Sequence, residues 1–386
     1  MSPSQPALSV AGGRIGLFDL QRQRARLGVD LHQRIDTVLG HGQFILGPEV
    51  EELEKRLAAF AGVEHVIAVS SGRDALMIAL MAMGVGSGDA VFVPSFTFAA
   101  TAGAVAGVGA IPVFVDVERD TFNMDPVDLE RAMSEVVEQG RLRPSAVMPV
   151  DLYGLPADYD RIGEVAERFG GQLLADAAQS FGGRRNGAGV GALARISATS
   201  FYPTKPLGCY GDGGAILTTD AGLDEHVRMI RSHGRSGSGD EATVLGLTGR
   251  LDTLQAAVLL AKLEIFPKEL ERRRAIANRY HNALSNVVAV PSVPEGCESA
   301  YALYTVRVAN RDAVRARLDE MGIGTGLFYR LALHQHPAFE AFDGRHLPVS
   351  EELANDVLSL PLHADLRDEE VERVIAAVRE VVTTEA

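Results

Sequence analysis

Lys205 lies between an apolar β-type run, Ala198–Tyr202, and a glycine-dense turn, Gly208-Cys209-Tyr210-Gly211-Asp212-Gly213-Gly214. Lysine is seldom buried without a reason. Desolvated, its amine loses basicity and can form a Schiff base, whereas a lysine in a solvated loop does neither. Ser200 adds a hydroxyl at the same end of the run. Asp176 closes a second apolar strand, Leu173-Leu174-Ala175-Asp176, and the carboxyl ends of strands are where doubly wound sheets bind ligands. As a helix N-cap the same aspartate would be purely local. A third candidate is Ser70-Ser71-Gly72-Arg73-Asp74, which follows a strand and opens a helix. Its N–H groups and hydroxyls form either an ordinary capped turn or an anion site. Arg73 favours the anion, because a cation in the first helical turn is unfavourable without one. Gly187-Ala188-Gly189-Val190-Gly191 lacks the preceding strand and the acidic residue of a dinucleotide fingerprint, and the chain has no GxxxxGK[ST] loop.

These residues need a frame that places them together. β-rich runs at Val66–Ser70, Ala90–Pro94, Pro112–Val117, Ala146–Val150, Leu173–Asp176, Ala198–Tyr202 and Gly214–Thr218 are mostly separated by helix-length segments, which predicts a largely parallel α/β sheet. Helices are expected at Ala25–Leu39 and Glu49–Ala61 before it, and at Arg250–Leu263 and Glu269–Leu284 after it. Pro267 marks the expected boundary, giving a flexible arm (1–17), a large domain (18–267) and a small α+β domain (268–386). The small domain is assigned a strand at Tyr301–Val308 and helices at Asp312–Met321, Glu351–Leu358 and Asp368–Val382.

Composition narrows the function classes. Of 386 residues, 46% are hydrophobic, enough for a large core. The formal charge of −14 argues against nucleic-acid and anionic-membrane partners. The low-charge stretch from Phe92 to Val115 is broken by Pro94 and Pro112 and reads as strand, helix and strand, not as a membrane span. Two cysteines, Cys209 and Cys297, make no disulfide framework or zinc spacing, and the ten histidines show no metal-ligand pattern. With no export signal at the N-terminus, a reduced cytoplasmic setting is expected.

The motifs Asp176-Ala177-Ala178-Gln179-Ser180-Phe181-Gly182, Ser200 to Lys205 with Gly208 to Ala215, and Arg250-Leu251-Asp252-Thr253-Leu254-Gln255-Ala256-Ala257 resemble those of the DegT/StrS-type nucleotide-sugar aminotransferases. The likeness runs from Phe18 through Leu362. Gly40 to Val50 and Lys205 to Asp212 are most similar to the branch that aminates UDP-2-acetamido-2-deoxy-3-oxo-glucuronate. The resemblance implies the pyridoxal 5'-phosphate (PLP)-dependent transferase fold type I, which is aspartate aminotransferase-like. It also implies a homodimer with shared active sites and transamination of a keto group on a UDP- or dTDP-linked sugar, with glutamate as donor and a 3-oxo sugar favoured.

Carried over by residue, Lys205 resembles the lysine that holds PLP and then moves the proton, and Asp176 the carboxylate paired with the pyridine nitrogen. Gln179 matches the residue beside the ring hydroxyl, and Phe98 the aromatic that stacks on the ring; alone, Phe98 reads as a core aromatic. Gly72, Arg73 and Ser200 occupy phosphate positions. Three places depart from the family pattern. Arg73 stands where threonine is usual and Thr248 where asparagine is usual, which leads to the expectation that Arg73 contacts the phosphate directly. Phe328-Tyr329-Arg330 replaces His-Tyr-Pro beside the sugar. Arg330, with Arg250 of the partner subunit, is expected to read a carboxylate or the diphosphate, and His334 to lie near the sugar. The rival readings are a 4-keto sugar aminotransferase, a PLP-dependent sugar dehydratase, which carries histidine at the Lys205 position, and a PLP-binding regulatory module without turnover.

Overall fold

The computed structural model describes residues 13–236, 241–342 and 345–385. The chain enters with two helices, α1 (Leu20–His41) and α2 (Pro48–Ala61). Asp19 caps α1 by accepting the Arg22 N–H at 3.0 Å. Gly28, at φ 55°, kinks that helix, which begins a turn earlier than its apolar spacing predicts. Strands and helices then alternate: β1 (His65–Val69), α3 (Gly72–Ala82), β2 (Asp89–Pro94), α4 (Ala100–Gly107), β3 (Ile111–Val115), α5 (Pro126–Gln139), β4 (Arg143–Val147), α6 (Tyr159–Arg168) and β5 (Gln172–Asp176). A short hairpin, β6 (Arg184–Arg185) and β7 (Ala188–Gly189), precedes β8 (Ile196–Ser200), β9 (Gly214–Thr218) and α7 (Ala221–Arg231).

Seven strands form one sheet in the order β1-β9-β8-β5-β4-β2-β3. Only β9 runs antiparallel, to both of its neighbours. The carboxyl ends of the other six strands therefore share one edge of the sheet. Every residue of β2 is buried, as expected of a strand covered by helices on both faces. At the shared edge Gly214 pairs with both Val69 and Ser200, and a Cβ on it would meet the Ser71 backbone at 2.6 Å. Glycine is what lets the two strand ends approach.

One 32-residue helix, α8 (Thr253–Leu284), runs unbroken through Pro267. Separate helices at Arg250–Leu263 and Glu269–Leu284 are thus replaced by a single element. Proline costs a helix one hydrogen bond, and here burial on both sides outweighs that loss. Ala256, Leu259, Leu260 and Phe266 pack with Phe201 and Leu207 of the large sheet's core. Ile276, Ala277, Tyr280 and Leu284 pack into a second core. After β10 (Cys297–Glu298), that core holds β11 (Tyr304–Arg307), α9 (Arg311–Glu320), β12 (Val357–Leu360) and α11 (Asp368–Glu385), while α10 (Pro348–Asp356) puts Leu353 and Ala354 into a separate cluster with Phe96, Val150 and Tyr153.

Val357 and Leu358, read as helical from sequence, belong to β12, which pairs antiparallel with β11. The fully buried run Val357–Leu360 has no polar face to betray its period. Ile15 is 3% exposed and bridges to Ile323, so the described part of the expected flexible arm is held in place; residues 1–12 lie outside the described residues.

Candidate active site

β5 delivers Asp176 to the shared strand edge, buried at 4% exposure. Its Oδ2 accepts the Thr101 hydroxyl of α4 at 2.8 Å and its Oδ1 the Ala178 N–H at 3.2 Å. Burial raises its pKa above the ordinary aspartate value, and the two donors together with the Lys205 charge oppose the rise. Asp176 is therefore an acid set to meet a cationic N–H.

β8 ends in Ser200, and the loop beyond it carries Lys205. Phe201 N–H donates to the Gly213 carbonyl and Cys209 N–H to the Phe201 carbonyl, each at 2.8 Å, which closes this loop on itself. A Cβ on Gly208 would stand 2.6 Å from the carbonyl oxygens of Tyr202 and Pro203. Within the closed loop Lys205 is half-buried. Desolvation lowers its pKa to about 8, with the Asp176 carboxylate pulling the other way. An amine with that value supplies a neutral nucleophile near neutral pH.

β1 leads to the helix terminus read from sequence as an anion site. Ser71 caps α3 by accepting the Asp74 N–H at 3.0 Å, so the helix opens at Gly72 with free N–H groups. A Cβ on Gly72 would stand 2.6 Å from Ser200 Cβ. That close approach sets the Ser200 hydroxyl beside the positive helix end, an arrangement fitted to a phosphate. Arg73 does not join it in this structure. Its guanidinium is exposed and donates to the Gly103 carbonyl of α4 at 3.4 Å. A carbonyl acceptor suits a cation better than the positive end of its own helix.

Across the site Phe98 is 57% exposed, unusual for a large aromatic, and its ring centre lies 6.0 Å from that of Tyr329. Gln179 is buried; its Oε1 accepts the Tyr153 N–H at 2.9 Å and its Nε2 donates to the Tyr329 hydroxyl at 3.4 Å. The Tyr153 hydroxyl donates to the Phe328 carbonyl. Sequence candidates Gln179, Phe98, Phe328 and Tyr329 therefore meet in one cluster. An open aromatic face, a buried acid, a neutral-prone lysine and a helix N-terminus beside the Ser200 hydroxyl on one sheet edge together fit PLP.

The remaining candidates lie around this cluster. Arg330 is exposed. Both ring nitrogens of His334 are engaged, Nδ1 with Ser95 Oγ at 2.7 Å and Nε2 with Glu351 at 3.2 Å, so it anchors the end of β2 to α10 and has no nitrogen left for a sugar. Thr248 is exposed, and its backbone bridges to Ser232. Arg250 bridges to Val69 and lines a surface cavity of about 510 Å³ with Leu46, Arg228 and His233. Its Nε is buried without a hydrogen-bond partner among the described residues.

Thr101 and Tyr153 complete the site but escape sequence reading. Thr101 sits in an alanine-rich helix, and Tyr153 meets Gln179 through its backbone N–H at φ 58°, so neither residue type announces that contact. No group of three or more metal-ligand side chains occurs among the described residues, and no described helix is long and apolar enough to cross a membrane.

Comparison with known proteins bears on this arrangement directly. The model of the DegT/DnrJ/EryC1/StrS aminotransferase family matches residues 26–379. The UDP-2-acetamido-2-deoxy-3-oxo-D-glucuronate aminotransferase of Pseudomonas aeruginosa is 44% identical over 365 residues, which is 94% of this chain and 99% of that protein. A DegT DnrJ EryC1 StrS aminotransferase from Brucella abortus superposes with a TM-score of 0.93 at 48% identity, covering 95% of this chain and 99% of that one. NtdA from Bacillus subtilis, solved with bound cofactor PMP, superposes at 0.85 with 29% identity over 93% of this chain and 82% of that one. With likeness running nearly end to end in both sequence and structure, the chain belongs to the DegT/DnrJ/EryC1/StrS aminotransferase family and is a PLP-dependent aminotransferase of fold type I.

Proposed function

We propose that the protein moves the amino group of glutamate to the C3 keto carbon of a UDP-linked sugar that carries a carboxylate, working as a homodimer in the cytoplasm. The observation that carries this reading is the coupling of Lys205 to Asp176 beside the Gly72–Ser200 cradle. Bound there, PLP supplies a carbonyl carbon and a ring able to take up electron density. Lys205, with its lowered pKa, would hold that carbonyl carbon through its neutral amine and would move a proton at the donor carbon. Asp176 holds the ring N–H, Gln179 orients the ring hydroxyl, and Phe98 covers one face. The α3 N-terminus, Gly72 and Ser200 take the phosphate.

The Pseudomonas relative's 3-oxo uronate substrate supports the choice of sugar. Exposed Arg330, and Arg250 of the partner subunit, supply guanidinium groups for its carboxylate or its diphosphate. Exposed Phe44, Ile45 and Leu46 and the segment around Thr248 form the surface that would meet a second copy, since burying these apolar side chains favours association. Both cysteines are free, as in a reducing compartment.

The test is a substrate panel: UDP-linked 3-oxo and 4-keto sugars, each with and without a C6 carboxylate, incubated with PLP and glutamate while 2-oxoglutarate is measured. The 3-oxo uronate is expected to turn over at least about tenfold faster than the others, and Arg330→Ala to erase the carboxylate preference. Equal or faster turnover of a 4-keto sugar overturns the assignment.

A further inference from the structure

Next to Asp176 lies a second carboxylate to which none of these roles is given. Asp151 follows β4 and is 0% exposed. Its N–H donates to the Asp176 carbonyl at 3.1 Å, so the two acids are joined through the backbone. Asp151 Oδ1 accepts the Ala157 N–H at 2.8 Å and the Tyr159 hydroxyl of α6 at 2.9 Å, while Oδ2 meets Ser180 Oγ at 2.6 Å. No lysine, arginine or histidine pairs with it among the described residues. The titratable groups facing it are Tyr159 and Asp176, and neither brings a positive charge.

A carboxylate without a cation in so dry a place is costly as an anion, and a second carboxylate nearby makes it costlier. The two acids are not equivalent. Asp176 has Lys205 to favour its charge, whereas Asp151 has only neutral hydrogen-bond partners. Burial, with the like charge of Asp176 behind it, lifts Asp151 to about 7. Its position also gives it leverage. Ser180 adjoins Gln179, and the Asp151–Ser180 and Tyr153–Gln179 bonds are two rungs that tie residues 151–153 to 179–180.

We propose that Asp151 is a positioning residue that works in its neutral form: while protonated it leaves Asp176 alone to bear the buried negative charge, and its carboxyl donates to Ser180 Oγ, fixing Gln179 beside the cofactor ring. This rests on the role given above to Asp176.

Infrared difference spectra of cofactor-free protein read the proton directly. Wild type is expected to show a protonated-carboxyl C=O band at pH 6 that fades as pH rises through about 7, and Asp151→Asn to lack it. Cofactor titration gives the second readout. Asp151→Ala is expected to weaken PLP binding about tenfold. Asp151→Asn, which mimics the neutral acid, should restore most of that loss and abolish the inflection near pH 7 in the affinity profile. Absence of the band in wild type, or an asparagine variant as damaged as the alanine one, overturns the proposal. Should Asp151→Asn not fold, Ser180→Ala removes the acceptor and is expected to shift the band; an unmoved band is equally contrary. If instead the wild-type band is present but PLP does not bind at Lys205, the functional reading fails and the proton assignment stands.

Discussion

The Thr101 hydroxyl and the Asp176 carboxylate are bonded at 2.8 Å, which links the first turn of α4 to the end of β5 across the floor of the site. The bond favours the charged form of an acid that burial drives toward neutrality. Phe98 lies just ahead of the same helix, so one element sets both the acid and the aromatic cover.

Removing that hydroxyl tests the link. Thr101→Val keeps the shape and deletes a hydrogen bond to a charged group, worth about 1.5–3 kcal/mol. PLP affinity, followed by absorbance titration, is expected to fall about tenfold or more. Unchanged affinity would mean that Asp176 does not depend on Thr101 for its charge.

Lys205 gives a pH prediction. Its folded pKa lies near 8, below its ordinary 10.5, so the neutral amine appears as pH rises through about 8. The rate of PLP capture, read by stopped-flow absorbance, is expected to climb with a midpoint there. Asp176 raises the lysine's pKa. Asp176→Asn should therefore move the midpoint to lower pH, and a shift upward would contradict the coupling.

Gly72 tests the cradle. Its substitution by alanine sets a Cβ 2.6 Å from Ser200 Cβ, which forces β8 and α3 apart. Gly72→Ala is expected to cost about 1–3 kcal/mol of stability in denaturant unfolding. PLP and inorganic phosphate should both bind more weakly. Weakened PLP binding with intact phosphate binding would place the phosphate elsewhere.

Most of this frame is legible in the sequence, for definite reasons. Apolar runs bounded by helix-length segments reveal all seven sheet strands, and the motif residues sit at their ends. Pro267 misleads because proline is read as a stop, while the buried faces on both sides of it carry α8 through. His334 looks like a sugar contact until Ser95 and Glu351 are seen to occupy its ring. Arg73 carries the right charge for a phosphate, yet its direction depends on the neighbouring α4 carbonyl, which lies far along the chain. Thr101 is invisible for a related reason, since its partner Asp176 lies on a distant strand, and Asp151 because its link to Asp176 and Ser180 forms only when β4 and β5 pair.

Lys262 offers a prediction about stability. It is 1% exposed, its Nζ lacks a hydrogen-bond partner among the described residues, and it sits 4.3 Å from the centre of the Tyr210 ring. Burial lowers its pKa to about 8 against an ordinary 10.5. The folded state therefore loses stability as pH falls from the ordinary value through about 8, and the loss is complete below that. Lys262→Met is expected to stabilise the protein by about 1–3 kcal/mol at pH 7 and by progressively less at alkaline pH, measured by urea unfolding. Destabilisation at pH 7 would show that the cation–aromatic contact outweighs the cost of burial.

Amino transfer through Lys205 is tested by following nitrogen. Wild-type protein and Lys205→Ala are loaded with PLP and given 15N-glutamate and the UDP-linked 3-oxo uronate, and the sugar product is analysed by mass spectrometry. Wild type is expected to give a 15N-amino sugar with an equal amount of 2-oxoglutarate, and Lys205→Ala neither. A wild-type protein that binds PLP at Lys205 yet leaves the sugar unlabelled would show that this sugar is not its substrate, and a variant that labels it equally well would show that Lys205 does not carry the transfer.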